Sequence, residues 1–236
     1  MQNNVDYSIL IPSFKEEENL RVILPRIKLA IAEVTECSEI IVIDTCQTLD
    51  KTQDVCTANN VKYINRAPEN TYGDAVRSGI NYAKGKWIIF MDADGSHAPE
   101  FIPALIAKTK SEKYDVVVAS RYIHGGNSEN NKLLITMSKV LNFIYARILK
   151  IRCMDVSNSF RIYRGNMLRS LNLTCQNFDI VEEIIIELIK NFPNLTLFEI
   201  PYVFKKRIFG ESKRSLIKFI FSYFTTLLKL IYRRYK

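Results

Sequence analysis

Short apolar runs alternate with segments of helical spacing along the first half of the chain. The strands that these runs predict lie at residues 7–11, 39–43, 61–64, 87–91 and 116–119. In the segments between them, apolar residues recur every three or four positions, as at Leu20, Ile23 and Ile27, although Pro25 predicts a kink or a restart in that helix. This alternation predicts an α/β fold in which a mostly parallel sheet carries helices on both faces.

The pattern is less regular after residue 121. Helical spacing returns at 133–149 and 180–189, and extended segments are predicted near 155–163 and 195–204. Glu182 and Glu183 within the second of these helices are predicted to form a solvated face. No repeat or low-complexity linker interrupts the chain, so residues 1–213 are predicted to form one domain.

The remaining residues, 214–236, predict a C-terminal amphipathic helix. Lys218 and Lys229 bracket ten uncharged residues, which is too short for a membrane span of about 20 residues. Aromatic and basic residues favour a helix that lies in an anionic membrane surface. The alternative is a helix that packs on the domain or in a dimer.

The strongest chemical signal is the pair Asp92 and Asp94, which follows the buried run 87–91. Carboxylates spaced in this way lie about 6 to 7 Å apart along an extended backbone and repel each other unless a cation lies between them. Hard oxygen ligands suit Mg²⁺ or Mn²⁺. The alternative is that both residues cap the helix that starts near Pro99. Since the polar ends of parallel strands gather at one sheet edge, Pro12, Asp44 and Asp92 are expected to share one site.

Composition and charge limit the classes of molecule that the protein is expected to bind. The formal charge of +8 over 236 residues indicates nucleic acid, an anionic membrane or a phosphorylated substrate. The basic residues are scattered among acidic helices and RNA-binding signatures are absent, which disfavours nucleic acid. Five cysteines without a C-x-x-C pair indicate neither a disulfide framework nor a zinc site and favour a reducing cytosol. The first apolar run is too short for a signal peptide.

Six blocks then occur in a familiar order: SILIPSFKEEENL, IIVID, FMDADGSHAPEFI, ASRYIHGG, DVSNSFRIYR and EIPYVFKKRIFGESK. Over about residues 7–213 the chain resembles the GT-A (Rossmann-like) nucleotide-sugar glycosyltransferases of family 2, on the branch of the dolichyl-phosphate (polyprenyl-phosphate) mannosyltransferases. The resemblance implies inverting transfer of a hexose, mannose from GDP-mannose, to a polyprenyl or dolichyl phosphate with Mg²⁺ or Mn²⁺. Together with the amphipathic tail, a lipid acceptor predicts a peripheral protein on the cytoplasmic face of a membrane. A homodimer or an integral-membrane partner is the further expectation.

The resemblance implies specific donor residues. Pro12, Phe14, Glu16 and Asp44 would hold the nucleoside, and Asp92, Asp94 and Ser96 would hold the metal. Gly73 is expected to relieve a backbone approach at the donor site, or simply to begin a helix. Two departures, Lys15 in place of an Asn and Thr45 in place of a second Asp, leave the base open between guanine and uracil.

A lipid phosphate acceptor is already an anion near neutral pH, because its second pKa is about 6, so it requires cations rather than a strong base. Residues expected to bind it are Arg121, Lys139, Arg161, Arg207 and Lys213, of which the resemblance places Arg121 and Arg207 nearest. Arg161 is alternatively structural and Lys139 a solvated position. Asp155 either orients sugar or acceptor or caps a turn, and His97 either supports the metal loop or packs. Asp94, Asp155, Arg121 and Arg207 form the expected catalytic set.

Two other classes of function remain open from the sequence. One is an enzyme of the same fold that uses a UDP-sugar or a glycan acceptor, in which case a carboxylate would have to serve as general base. The other is a non-catalytic protein that binds anions or nucleic acid.

Overall fold

The computed structural model describes residues 5–110, 113–210 and 225–232. Its strands are β1 Tyr7–Pro12, β2 Ser38–Asp44, β3 Lys62–Asn65, β4 Trp87–Phe90, β5 Val116–Ser120, β6 Asn127–Ser128, β7 Arg161–Arg164, β8 Leu197–Pro201 and β9 Val203–Phe204. Its helices are α1 Glu17–Ala32, α2 Thr52–Ala58, α3 Tyr72–Tyr82, α4 Ile102–Thr109, α5 Lys132–Ile148, α6 Gly165–Arg169 and α7 Ile180–Asn191, with a 3₁₀ turn at Pro99–Phe101.

Seven strands form one sheet in the order β3-β2-β1-β4-β7-β5-β8. Neighbouring residues of each strand point to opposite faces, so Ile9 and Leu10 of β1 enter different core clusters. One cluster is covered by α1, α2 and α4, and the other by α3, α5, α6 and α7. The predicted α/β fold with helices on both faces of a mostly parallel sheet is confirmed.

Strand β7 breaks the parallel pattern. It runs antiparallel between β4 and β5, with Phe90 opposite Arg161 and Val118 also opposite Arg161. Because β7 runs in the reverse direction, the segment that precedes it, residues 155–160, lies at the same sheet edge as the residues that follow β4. This topology brings the DVSNSF block to Asp92 and Asp94.

A second, two-stranded sheet pairs β6 with β9. The chain leaving β9 then crosses the edge of the main sheet, where the backbone N–H of Lys205 donates to Ser96 O at 3.1 Å and that of Ile208 donates to Asp94 O at 3.0 Å. These bonds fix residues 205–208 over the loop that follows β4, with Arg207 between them.

Helix α1 does not restart at Pro25 but continues through it. The prediction of a solvated face in α7 is wrong. Glu183 is fully buried and Glu182 nearly so, instead of forming a solvated face. The Glu183 carboxylate accepts from the backbone N–H groups of Thr174 and Cys175, so it satisfies a buried turn that the sequence pattern did not reveal.

The described part of the tail, residues 225–232, is helical. Leu227 and Leu230 join the core cluster under α7, and Lys229 Nζ lies 3.4 Å from Cys175 Sγ. Residues 225–232 therefore pack on the domain, which was the alternative prediction for the tail. Lys213 and the rest of the predicted tail helix lie outside the described residues. Across the described ranges, no helix has the length and apolarity that a membrane crossing requires.

Candidate active site

A cleft of about 680 Å³ opens at the carboxyl ends of β1 and β4. Its walls come from the segment after β1, the loop after β4, the start of α3 and residues 207–210. They include Pro12, Phe14, Glu16, Asp50, Arg66, Tyr72, Asp92, Asp94, Phe178 and Arg207. Five residues expected at the donor site, Pro12, Phe14, Glu16, Asp92 and Asp94, thus line one cleft.

Asp94 is held by its own loop. Its Oδ1 accepts from the Ser96 N–H at 3.0 Å and from the Ser96 hydroxyl at 2.5 Å. Burial alone would raise the pKa of Asp94, but the Ser96 hydrogen bonds and the nearby charge of Arg207 outweigh it and lower the pKa. Ser96 itself is buried, at 2% exposure, with its hydroxyl directed at Asp94. The structure therefore places Ser96 behind Asp94 as its support, and not on the cleft wall as a third ligand.

Asp92 is fixed by residues from two other segments. Its backbone N–H donates to His97 Nδ1 at 2.9 Å, and Ser159 Oγ donates to its Oδ1 at 3.0 Å. His97 is fully buried, stacks on Phe160 and lies 3.2 Å from Asn158 Oδ1 through Nε2. Of the two roles considered for His97, the structure combines both: it packs, and it also shapes the turn that carries Asp92.

Arg207 bridges two of the cleft carboxylates. Its guanidinium lies 3.2 Å from Glu16 Oε1 and 3.0 Å from Asp94 Oδ2. Burial raises the pKa of Glu16, against the hydrogen bond from Asn19 and the charge of Arg207. Asn19 also binds the Phe209 backbone, donating to its O and accepting from its N–H. Arg207 is therefore held in the cleft by its own ion pairs and by the backbone bonds of the neighbouring Phe209.

The far wall of the cleft is aromatic. Tyr72 and Phe178 stack with ring centroids 4.2 Å apart, and Phe14 on the opposite segment is 44% exposed. Asp44, at the end of β2, is almost fully buried, and its Oδ2 accepts from the Tyr63 hydroxyl. Asp44 therefore lies beneath the cleft and not on its surface.

Arg66 was not recognised in the sequence. It is 4% exposed, and its guanidinium donates to the carbonyls of Ser13, Asp44 and Thr71. It thereby ties the ends of β1 and β2 to the start of α3. Burial lowers the pKa of Arg66. The sequence signal for Arg66 was its position one residue after β3, because residues that directly follow parallel strands gather at the same edge of the sheet.

A second basic group lies at the edge formed by β9. Arg121 makes a bidentate pair with Asp155, at 2.7 Å and 2.6 Å. Both Arg121 and Lys139 lie over the Tyr122 ring, and Arg121 also lies over the Phe204 ring. Phe204 precedes Arg207 by three residues, so the segment that contacts Arg121 continues to Arg207.

Three of the predicted roles need correction. Asp155 is fully buried with its oxygens engaged by Arg121, so it positions Arg121 and does not face the cleft. Arg161 is also fully buried and donates to the carbonyls of Asp155 and Val156, so it is structural and cannot reach an acceptor phosphate. Gly73 meets its own chain rather than a donor, since a Cβ there would lie 2.1 Å from Cys175 O.

We expect Gly73→Ala to destabilise the fold and to displace residues 175–178, including the stacked Phe178. The added methyl would overlap backbone, which has little freedom to move, and overpacking of this kind costs about 1 to 3 kcal/mol. Thermal unfolding measures the effect. Gly79→Ala in the same helix is the control, because its Cβ meets only side-chain methyls at 3.1 Å. Equal melting temperatures for the two variants would contradict this account of Gly73.

We expect Asp155→Ala to lower the free energy of unfolding by about 3 to 5 kcal/mol, because it leaves the mostly buried Arg121 charge without its carboxylate. Urea unfolding provides the measurement. Glu129→Ala removes the carboxylate of the exposed Lys205 pair and should leave stability nearly unchanged. If Asp155→Ala proved as stable as Glu129→Ala, the Arg121 pair would not be a structural element.

The carboxyl edge of the buried sheet thus presents two fixed carboxylates, an aromatic wall and basic side chains. The sequence profile described as Glycosyl transferase family 2 matches residues 8–171, and the chain belongs to this family. The resemblance to family 2 that the sequence predicted is confirmed.

Two curated relatives are similar over most of the chain. The dolichol-phosphate mannosyltransferase of Pyrococcus furiosus is 32% identical over 230 residues, covering 95% of this chain and 63% of the relative. The undecaprenyl-phosphate 4-deoxy-4-formamido-L-arabinose transferase of Serratia proteamaculans is 29% identical over 219 residues, covering 90% and 64%. The chain spans less than two thirds of the length of either relative.

Solved structures share the fold. Glucosyl-3-phosphoglycerate synthase from Mycobacterium tuberculosis, in complex with Mn²⁺, UDP and phosphoglyceric acid, superposes with a TM-score of 0.73 at 16% identity, covering 96% of this chain and 78% of that chain. The same enzyme with Mg²⁺ and UDP gives a TM-score of 0.72. At this identity the likeness concerns the fold, and it supports the predicted GT-A architecture.

Proposed function

We propose that this protein transfers a hexose from a nucleotide sugar to a polyprenyl phosphate. The observation that carries the proposal is the convergence of Glu16, Asp92 and Asp94 with Arg207 in one cleft, beside the Arg121 group. Carboxylates can hold a metal–diphosphate, and arginines can bind a second phosphate. A site for two phosphorylated substrates fits a donor and a lipid phosphate acceptor.

A divalent metal fits the donor side. Asp92 and Asp94 offer hard oxygen ligands at the cleft surface, with side chains 28% and 17% exposed. In the described ranges, no three or more His, Cys, Asp or Glu residues form a metal cluster, so these two carboxylates would leave positions for substrate phosphates and water, as Mg²⁺ sites commonly do. When bound, Mg²⁺ or Mn²⁺ would neutralise charge that develops on the leaving diphosphate. Ser96 would hold Asp94 in place for this role.

The nucleoside would enter between Phe14 and the Tyr72–Phe178 pair, with Pro12 beneath it. Two buried polar atoms near this end of the sheet, Asp44 Oδ1 and Ser13 Oγ, have no hydrogen-bond partner among the described residues. Burial raises the pKa of Asp44. A base N–H, which both guanine and uracil carry, would satisfy the Asp44 oxygen if the wall opened to admit it.

The acceptor phosphate would lie between Arg207 and the Arg121–Lys139 group. Its oxygen attacks the anomeric carbon, the bond from that carbon to the diphosphate oxygen breaks, and the electron pair leaves with the nucleoside diphosphate. Attack opposite the leaving group inverts the anomeric centre. No general base is needed because the attacking oxygen is already anionic, and this agrees with the burial of His97 behind the cleft.

The two curated relatives carry names that share a polyprenol phosphate but differ in the sugar. Their names therefore support the acceptor class more strongly than the donor. GDP-mannose is the first donor to test, given the 32% identical relative, and a UDP-sugar is the second, given the UDP complexes of the structural neighbours. A lipid acceptor would place the reaction at a membrane surface, for which the cytoplasmic face is the proposed side.

The test is mass spectrometry of the products after incubation with Mn²⁺, a panel of GDP- and UDP-sugars, and either polyprenyl phosphate or a glycan as acceptor. We expect a polyprenyl phosphate whose mass has increased by one hexose. Transfer to a glycan, without transfer to the lipid, would replace the proposal with a soluble or polysaccharide acceptor. Hydrolysis alone, with every acceptor, would contradict it.

A further inference from the structure

Helix α5 exposes an apolar surface next to the Arg121 group. Only Asn142 and Tyr145 of this helix are buried. Its large exposed apolar side chains, with those of the loop that follows, are Leu133, Leu134, Val140, Phe143, Ile148 and Met154. We call these residues and the cations among them the α5 surface. Patches of exposed apolar residues on one element indicate an interaction site.

The charge carried by the α5 segment itself has one sign, and the Glu199 carboxylate reaches only its end, where it accepts from the Met154 N–H at 2.8 Å. Residues 130–154 contain no Asp or Glu. The cations in this segment, all exposed, are Lys132, Lys139, Arg147, Lys150 and Arg152. Leu133, Val140 and Arg147 recur at intervals of seven residues, so apolar and basic side chains share one face of the helix.

We propose that the α5 surface docks on an anionic lipid bilayer. Exposed apolar side chains can enter the boundary between headgroups and acyl chains while lysines and arginines contact the anionic headgroups. A second copy of the same surface is a poorer partner, because a two-fold contact would bring like charges together. Nucleic acid would leave Val140 and Phe143 without an apolar partner.

The docking surface is joined to the proposed acceptor site. Asn142 of α5 accepts from the Ser157 N–H at 2.9 Å and donates to its hydroxyl at 2.9 Å, and Ser157 in turn accepts from Arg121 at 3.1 Å. Lys139 lies on the same helix. The inference rests on the proposed function for its purpose: a bilayer at α5 would present lipid phosphates beside Arg121 and Lys139.

The helix at 225–232 covers the same face of the sheet as α5, since Leu227, Leu230 and Tyr145 belong to one core cluster. Helix α1 covers the opposite face and belongs to the other cluster. Val22 and Leu29 of α1 are seven residues apart and are 38% and 70% exposed. They provide a control with the same change of charge on two exposed apolar residues of one helix.

The test is co-sedimentation of the full chain with phosphatidylcholine vesicles, with and without phosphatidylglycerol. We expect binding that requires phosphatidylglycerol and weakens with salt. Val140→Glu/Phe143→Glu should weaken it at least roughly 25-fold, since each charge near an anionic surface changes binding roughly fivefold. Both residues are more than half exposed, at 52% and 63%, so the fold should tolerate the change. Val22→Glu/Leu29→Glu should bind nearly as wild type does.

Equal loss in both double variants, or none in either, would overturn the proposal. The proposal would also be overturned if the wild type did not bind vesicles and instead formed a dimer that Val140→Glu/Phe143→Glu dissociates. If binding depended only on residues 214–236, the tail rather than α5 would be the docking element. Nucleotide diphosphate binding is measured on the same two double variants without lipid, and it should be unchanged in each. This control separates loss of membrane docking from failure of the proposed transferase activity.

Discussion

Asp94→Asn should reduce sugar transfer by at least roughly 10²- to 10³-fold, the range seen when one group that stabilises transition-state charge is removed. The amide keeps an oxygen for the Ser96 hydrogen bonds but loses the negative charge that faces Arg207 and the proposed metal. Transfer is measured as lipid-linked sugar formed per unit time at saturating donor.

Asp115→Asn is a closely matched control for this substitution. Asp115 also pairs with an arginine, Arg164 at 2.9 Å, and also accepts from a backbone N–H and a hydroxyl, both of Thr196. It lies before β5, at the opposite edge of the sheet from Asp94. We expect Asp115→Asn to keep nearly full activity. Equal losses of activity in the two variants would mean that Asp94 acts through stability and has no direct part in transfer.

Arg207→Ala should lower transfer roughly 10- to 150-fold, which corresponds to the loss of one charge-assisted hydrogen bond of about 1.5 to 3 kcal/mol. Binding of nucleotide diphosphate with Mn²⁺ should be unchanged or tighter, because Asp94 would lose a cation that competes with the metal. Arg207→Lys should restore only part of the activity if the acceptor contact is bidentate.

Lys205→Ala is the control for Arg207, since Lys205 lies on the same segment and pairs with exposed Glu129 at 2.8 Å. Initial rates over a range of polyprenyl phosphate concentrations, together with calorimetry of the donor product, separate the two substrates. If Arg207→Ala weakened nucleotide diphosphate binding as much as transfer, Arg207 would belong to the donor site alone.

The strands and the cleft carboxylates could be predicted because each leaves a local signal. A run such as 87–91 buries every side chain, and polar residues directly after it must lie at the sheet edge. Strand direction leaves no comparable signal. The antiparallel placement of β7, which brings Ser159 to Asp92, depends on contacts between residues far apart in the sequence.

Buried charges were the main source of error. Arg161 and Glu183 occupy positions where a charged side chain ordinarily indicates a surface. Each is buried because it satisfies backbone groups, carbonyls for Arg161 and N–H groups for Glu183. Those partners become neighbours only in the folded chain, so composition and spacing could not distinguish a structural arginine from a phosphate-binding one.

In the proposed function, Asp92 and Asp94 bind a nucleotide diphosphate through a divalent metal, and isothermal titration calorimetry tests this binding most directly. GDP and UDP would each be titrated into the wild type and into Asp92→Ala/Asp94→Asn, with Mn²⁺ and with a chelator. We predict that Mn²⁺ tightens binding of one nucleotide to the wild type, and that the double variant shows no difference between Mn²⁺ and chelator. If Mn²⁺ tightened nucleotide binding to the double variant as much as it does to the wild type, the metal role of these two carboxylates would be contradicted.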